Sequence, residues 1–157
     1  MPFLSKEELK TVIRLEKVVR IANSDDETIS KAINTAITEV GSRLTPNKKK
    51  AWLDGRIVYD IPAIFAQQGE DRNPLILDIT KIVAVWWLIV QCNAGVEYET
   101  IRDRYGAAVE YLKDLAGGEA TDLTLPIKQE PVDDQGNPIG TEKPFSAGSN
   151  KKFNHYF

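Results

Sequence analysis

Between Asn73 and Gly118 the chain changes its hydrophobic pattern once, and that change defines a helical hairpin. Residues 79–92 are apolar at almost every position, with Trp86-Trp87 at the centre, whereas Ile101, Tyr105, Ala108, Leu112 and Leu115 recur in steps of four and three. The second pattern is one face of an amphipathic helix over 101–116, and the first is a helix that must be covered on every side. Asn73-Pro74 supplies an N-cap and a proline at the first helical position, where its missing N–H costs nothing. Asn93-Ala94-Gly95 ends this helix, with Gly95 expected in the left-handed conformation, and Gly117-Gly118 stops its partner. Neighbouring positions on a helix point about 100° apart, so Trp86 and Trp87 cannot share one small pocket. One side of their helix is assigned to 101–116. The other is expected to lie under the connector 45–72 or an adjoining subunit.

Upstream, Ser5 and Glu8 form a capping box with Leu4 and Leu9 as its hydrophobic staple. The apolar run from Val12 to Ala22 follows, dense enough for a helix or a β-branched strand; we read it as a helix broken near Thr11. A second capping signature, Ser24-Asp25-Asp26-Glu27, introduces Ile29, Ile33, Ala36, Ile37, Val40 and Leu44 on one face of a helix over 24–44. Between Thr45 and Arg72 the periodicity dissolves. Within that connector Asp60 is placed to cap one helical turn that carries Pro62 in its first positions. Connectors beyond about 12–15 residues in a compact domain are usually functional, so this one is a candidate contact surface.

From Glu119 onward proline, glycine and polar residues dominate. Asp133-Asp134-Gln135-Gly136-Asn137-Pro138 reads as a turn between 123–131 and 139–145, which gives either a short β-hairpin or an extended arm. A two-stranded ribbon is barely stable alone and needs a surface to lie on. Phe153, Tyr156 and Phe157 stand beside Lys151-Lys152 and suggest an anchor. The expected architecture is mainly α: a small helical bundle over 1–118 with a long helix–helix connector, and an extended C-terminal arm over 119–157.

A chain of 157 residues with 42% hydrophobic and 27% charged residues fits one globular core. A net charge of -3 argues against a chain built mainly to coat nucleic acid, while leaving room for a local basic face. The single cysteine, Cys92, excludes an intramolecular disulfide framework and a cysteine metal cluster; its apolar flank suggests a packed thiol in a reducing compartment. The N-terminal residues lack the basic-then-apolar pattern of a signal peptide. Residues 82–90 are apolar without interruption, short of the about 20 residues that a bilayer span needs, so no membrane partner is expected.

Candidate chemistry is sparse. The lone histidine, His155, has no cysteine or serine motif placed to use it, and a general base must sit within hydrogen-bond reach of its target. Gly117-Gly118 and the 133–136 turn lack the context of a phosphate or calcium loop, so no cofactor is expected. Asp25-Asp26 and Asp133-Asp134 occupy a helix start and a turn, where capping explains them better than metal binding. Lys48, Lys49 and Lys50 form a basic patch that suits either phosphates or simply solvent. Trp86 and Trp87, with Tyr59, Phe65 and the terminal aromatics Phe153, Tyr156 and Phe157, are the candidates for a subunit or partner interface, since tryptophan and tyrosine are favoured at binding hot spots.

One resemblance emerges from the order of these segments. Leu4-Ser5 with Glu7-Glu8-Leu9, the 24–44 helix, Tyr59-Asp60, Asp71-Arg72-Asn73-Pro74, Cys92-Asn93-Ala94-Gly95-Val96, Arg104-Tyr105 and Tyr111-Leu112 together resemble a Mu-type phage protein family found among capsid and tail genes. The likeness covers residues 3–118, and the run from Gly148 to Tyr156 is similar to the tails of members from Bacteroides-type prophages. The resemblance implies a non-enzymatic virion neck protein, a head-tail adaptor forming a ring beneath the portal. Its implied partners are further copies of itself, portal and tail or neck proteins, with packaged DNA passing the Lys48–Lys50 loop. The implied setting is the bacterial host cytoplasm during assembly and then the virion neck. The alternative is a small helical DNA-binding or regulatory module using 24–44 as a recognition helix. Asp25, Asp26 and Glu27 at that helix's start oppose it.

Overall fold

The computed structural model describes residues 3–45, 57–94, 98–129 and 135. Its core is helical, as the patterning predicts: α1 (Leu15–Ile21), α2 (Asp26–Leu44), α3 (Ile61–Ala66), α4 (Pro74–Gln91) and α5 (Tyr98–Gly117). The capping box at Ser5 is present, with its backbone N–H donating to Glu8 Oε2 at 2.9 Å. The element it starts is a 3-10 helix, Lys6–Thr11, and the chain turns before α1 begins. The predicted break near Thr11 therefore separates two elements instead of bending one.

Three of the α-helix starts carry a side-chain cap. Asp25, not Ser24, caps α2, accepting from Glu27 N at 3.0 Å and from the Thr28 hydroxyl. Asn23 and Ser24 take positive φ of 51° and 62°, so the turn from α1 puts Asp25 at the cap position. Asp60 caps α3 through Ala63 N at 3.0 Å. Asn73 Oδ1 accepts from both Leu75 N (3.0 Å) and Ile76 N (2.9 Å) at the start of α4. At the other end Asn93, with φ of 48°, takes the left-handed position assigned to Gly95, and Ala94 N closes back on Ile89 O at 3.0 Å. Asparagine tolerates this region better than other residues with a Cβ, so the helix ends before the glycine is reached. Gly95 lies outside the described residues.

Helix α4 is the axis of the bundle. Ile76, Ile79, Val83, Ala84, Val85, Leu88 and Ile89 are all buried. They pack with Val18 and Ile21 of α1, Ile29, Ala36 and Val40 of α2, and Ile101, Leu112 and Leu115 of α5 in one core. By length and composition Pro74–Gln91 is apolar enough to cross a membrane, and half of it is buried in this bundle. The side assigned to the connector or a neighbouring subunit is in fact covered by α2. Helix α3, within the connector, packs on α2 instead, where Gly41 lets Ile61 and Phe65 approach closely.

The arm does not leave the bundle at Gly118. Residues 120–128 cross the start of α4, burying Leu125, and Ile127 forms an antiparallel bridge with Tyr59. Asp60 N donates to Pro126 O and Lys128 N to Val58 O, each at 2.8 Å. The first half of the expected hairpin thus pairs with the connector; 139–145, its expected partner, lies outside the described residues. No longer strand pairing occurs among the described residues.

A partly buried ion pair ties the first turn to the segment before α4. Arg72 Nη2 and Nη1 reach Glu8 Oε1 and Oε2 at 2.7 and 3.1 Å, and Nη1 also donates to Phe3 O at 2.7 Å. The Arg72 hydrogen bond is the main reason that the Glu8 carboxyl is held down at about 2, against an ordinary 4.5. Since the folded-state value is the lower one, the stability from this tie is complete above pH 4.5 and drains as pH falls toward 2. We expect Glu8→Gln to lower neutral-pH stability by about 1–2 kcal/mol and to flatten the acid limb of a melting-temperature profile. A variant whose acid limb overlays that of the parent would remove Glu8 as its source.

Candidate functional site

Two polar clusters and one open groove lie along α4 and α5. The first cluster is centred on Glu39 of α2. Its Oε2 accepts from Trp87 Nε1 at 2.6 Å, and its Oε1 accepts from the Tyr105 hydroxyl and Arg43 Nε, each at 2.7 Å. Three helices therefore meet on one carboxylate. Burial alone would raise the Glu39 carboxyl, but donation from Tyr105, Trp87 and Arg43 outweighs it and holds the group below the usual carboxylate range. Burial and the Glu39 charge push the Tyr105 hydroxyl up, so it remains a donor. Its ring stacks on Trp86 at 5.0 Å with an interplanar angle of 18°, and Trp86 also meets Tyr98, two turns earlier on α5, at 5.4 Å.

The tryptophan pair thus divides as the wheel geometry requires. Trp86 turns to the aromatic side chains of α5 and Trp87 to the carboxylate of α2, and both are half-buried in their own chain.

The second cluster holds the arm. Asn73, whose side-chain oxygen caps α4, uses its amide nitrogen to donate to Asp122 Oδ2 at 2.9 Å and Thr124 Oγ1 at 2.8 Å. Asp122 N donates to the Tyr59 hydroxyl at 3.0 Å. Tyr59 is only 3% exposed, so the structure places this interface candidate in the core, where its hydroxyl anchors the arm. Phe65 is half-buried, edge-on to Phe3 at 4.8 Å. The other candidates, Phe153, Tyr156, Phe157 and Lys48–Lys50, lie outside the described residues, as does His155.

The groove opens between α4 and α5, with a volume of about 260 Å³. Leu75, Ile79 and Ile82 form one wall and Ala107, Ala108 and Tyr111 the other, with Asp78 and Arg104 supplying its charges. Leu75 is 44% exposed at the start of α4, as Val90 is 43% exposed near its end. Burial and the nearby Asp122 charge raise the Tyr111 hydroxyl, which marks the groove end that faces the arm. Periodicity alone misses this groove, because Leu75 and Ile82 read as further core positions of an all-apolar helix.

Several groups with chemical potential are occupied structurally. Burial pushes the half-buried Cys92 thiol up, away from the reactive thiolate. Lys81 is nearly buried on α4, 3.7 Å from Asp78. Among the described residues no three His, Cys, Asp or Glu side chains gather as metal ligands. The fold defines a small all-helical bundle closed by a C-terminal strap. No family model, curated protein or solved structure matches the chain.

Both clusters give measurable expectations. Glu39→Gln leaves the Trp87 and Tyr105 donors poorly matched and should cost about 2 kcal/mol in urea unfolding, with tryptophan emission shifted to the red. Loss of less than about 0.5 kcal/mol, within the range of ordinary surface changes, would rule out the hub. Asn73→Asp keeps the helix cap but loses both arm donors, whereas Asn73→Ala loses both functions. We expect proteolysis between Gly118 and Lys128 to accelerate in each variant, and the larger fall in stability, about 1–2 kcal/mol from the cap, in Asn73→Ala. Equal stability of the two variants would argue against the division of labour.

Proposed function

We propose that this chain is a structural subunit of a phage or prophage neck, a head-tail adaptor that assembles below the portal through protein–protein contacts. The reading rests on the ordered resemblance described above, and several of its segments stand at joints of the fold. Glu8, which accepts from Ser5 N, meets Arg72; Tyr59-Asp60 receives the arm; Asn73-Pro74 starts the axial helix; Tyr105 completes the Glu39 hub.

The observation that carries the reading furthest is the exposed apolar α4–α5 groove, with Leu75 44% exposed in its wall. Such a surface is what a subunit needs when heterologous contacts repeat around a ring axis. The DNA-binding alternative gains little support. The α2 start carries Asp25, Asp26 and Glu27, and the Asp25 carboxylate is spent on the cap.

Co-expression with portal and tail-completion proteins encoded beside the gene, followed by affinity capture and negative-stain microscopy, tests the proposal. Rings, alone or seated on portal, are the expected result. A chain that stays monomeric and engages neither portal nor tail proteins overturns it, and salt-dependent binding to duplex DNA by the isolated protein would favour the alternative.

A further inference from the structure

We propose that residues 121–128 of the strap form a latch that opens as one unit about the turn at Gly118 while the helices beneath stay folded. The chain then has a closed and an open form that share one bundle, and this motion does not depend on the neck assignment.

The hinge is built into the end of α5. Gly118 takes a φ of 83°, its N–H meets Leu115 O at 3.4 Å, and Glu119 N meets Asp114 O at 2.9 Å. These two bonds are those of a Schellman stop, in which the residue after the helix takes the left-handed conformation that glycine adopts without strain. Ala120 N also donates to Asp114 O, at 3.1 Å. Every partner in this turn belongs to α5 or to the residues just after it. The turn therefore stays intact whether the strap is docked or not.

Past the hinge the fastenings are few and interlocked. Leu125 is the one buried residue beyond Leu115 among the described residues, whereas Leu123 is 75% and Ile127 46% exposed. Asn73 Nδ2 donates to Asp122 Oδ2 and Thr124 Oγ1, Thr124 Oγ1 donates on to Asp122 Oδ1 at 2.6 Å, and Asp122 N donates to the Tyr59 hydroxyl. Each of these bonds holds a group that the next one requires. The backbone bonds that join Pro126 and Lys128 to Asp60 and Val58 follow within a few residues. Losing one fastening thus loosens the others, and the strap opens in one step instead of fraying. Helix α4, by contrast, buries side chains from Ile76 to Ile89. A segment with little buried apolar surface lies at the low end of local stability and a buried axial helix at the high end. Opening uncovers Tyr59, frees the Asn73 amide and the Asp60 N–H, and withdraws the Asp122 charge from the Tyr111 hydroxyl at the groove.

Native-state hydrogen exchange on the full chain, followed amide by amide by NMR, tests the latch. The Asp60, Asp122 and Lys128 amides report the strap, and Val83 and Val85 report α4. Corrected for intrinsic rates, the three strap amides should share one opening constant, about a hundredfold or more above that of the α4 amides. That constant should barely change with urea below the unfolding transition, because little surface is exposed. Ile29 sits one turn beyond Asp25, whose charge reaches Cys92 at the opposite end of α4 from the strap. Ile29→Val should speed the α4 amides about 3–10-fold and leave the strap amides unchanged, since both forms keep the bundle. Tyr59→Phe removes the acceptor of Asp122 N and should speed all three strap amides together, by about fivefold. Strap amides that follow α4 in Ile29→Val yield only to global unfolding, which overturns the latch. Acceleration of Asp122 alone in Tyr59→Phe means fraying and overturns it as well, as does a parent chain whose strap amides show no protection.

Discussion

The bundle depends on how the Glu39 carboxylate is satisfied. An ionised acid among packed helices is costly unless its oxygens receive donors, and a single unmatched donor nearby is costly in turn. Here one oxygen takes the Trp87 indole N–H and the other takes the Tyr105 hydroxyl and Arg43, so the arrangement fixes three helices at once. Apolar packing alone is nearly indifferent to small rotations of a helix as uniformly hydrophobic as α4. Directional bonds to Trp87 remove that freedom, and the stacked ring of Trp86 is thereby presented to Tyr105 and Tyr98.

The remaining problem is the start of α4, where an apolar helix begins beside exposed backbone donors. Asn73 answers it with both ends of its side chain, the oxygen capping Leu75 and Ile76 and the nitrogen holding Asp122 and Thr124. A proline follows at the first helical position and has no N–H to satisfy. The same residue therefore starts the axial helix and secures the strap. This explains why the chain returns across the bundle after Gly118 instead of departing directly from the end of α5.

The helices were legible because their signals are local. Capping at Ser5, Asp60 and Asn73, the three-and-four spacing of α2 and α5, and the glycine stop at Gly118 each depend on residues within a turn or two of the feature they specify. What was not legible depends on partners far apart in sequence. Glu39 looks like any polar position on the outer face of α2 until Trp87 and Tyr105 arrive, and Arg72 shows no sign of Glu8. Tyr59 has the look of an interface side chain in sequence because its environment is made by Asp122 and Ile127, more than sixty residues away. The cover of α4 escapes the sequence for a related reason. Hydrophobic pattern states how much surface must be buried, but the crossing of two helices decides which neighbour buries it.

The strap also links the stability of the α4 start to the groove. Its bonds at Asn73 and Tyr59 hold Asp122 near Tyr111, at one end of the groove, and direct the following residues past that end. Asp122 does two things at once: its carboxylate accepts the Asn73 amide beside the α4 cap, and its charge reaches the Tyr111 hydroxyl at the groove. An unfolded strap therefore forfeits more than its own bonds, because it also takes that charge away from the end of the groove.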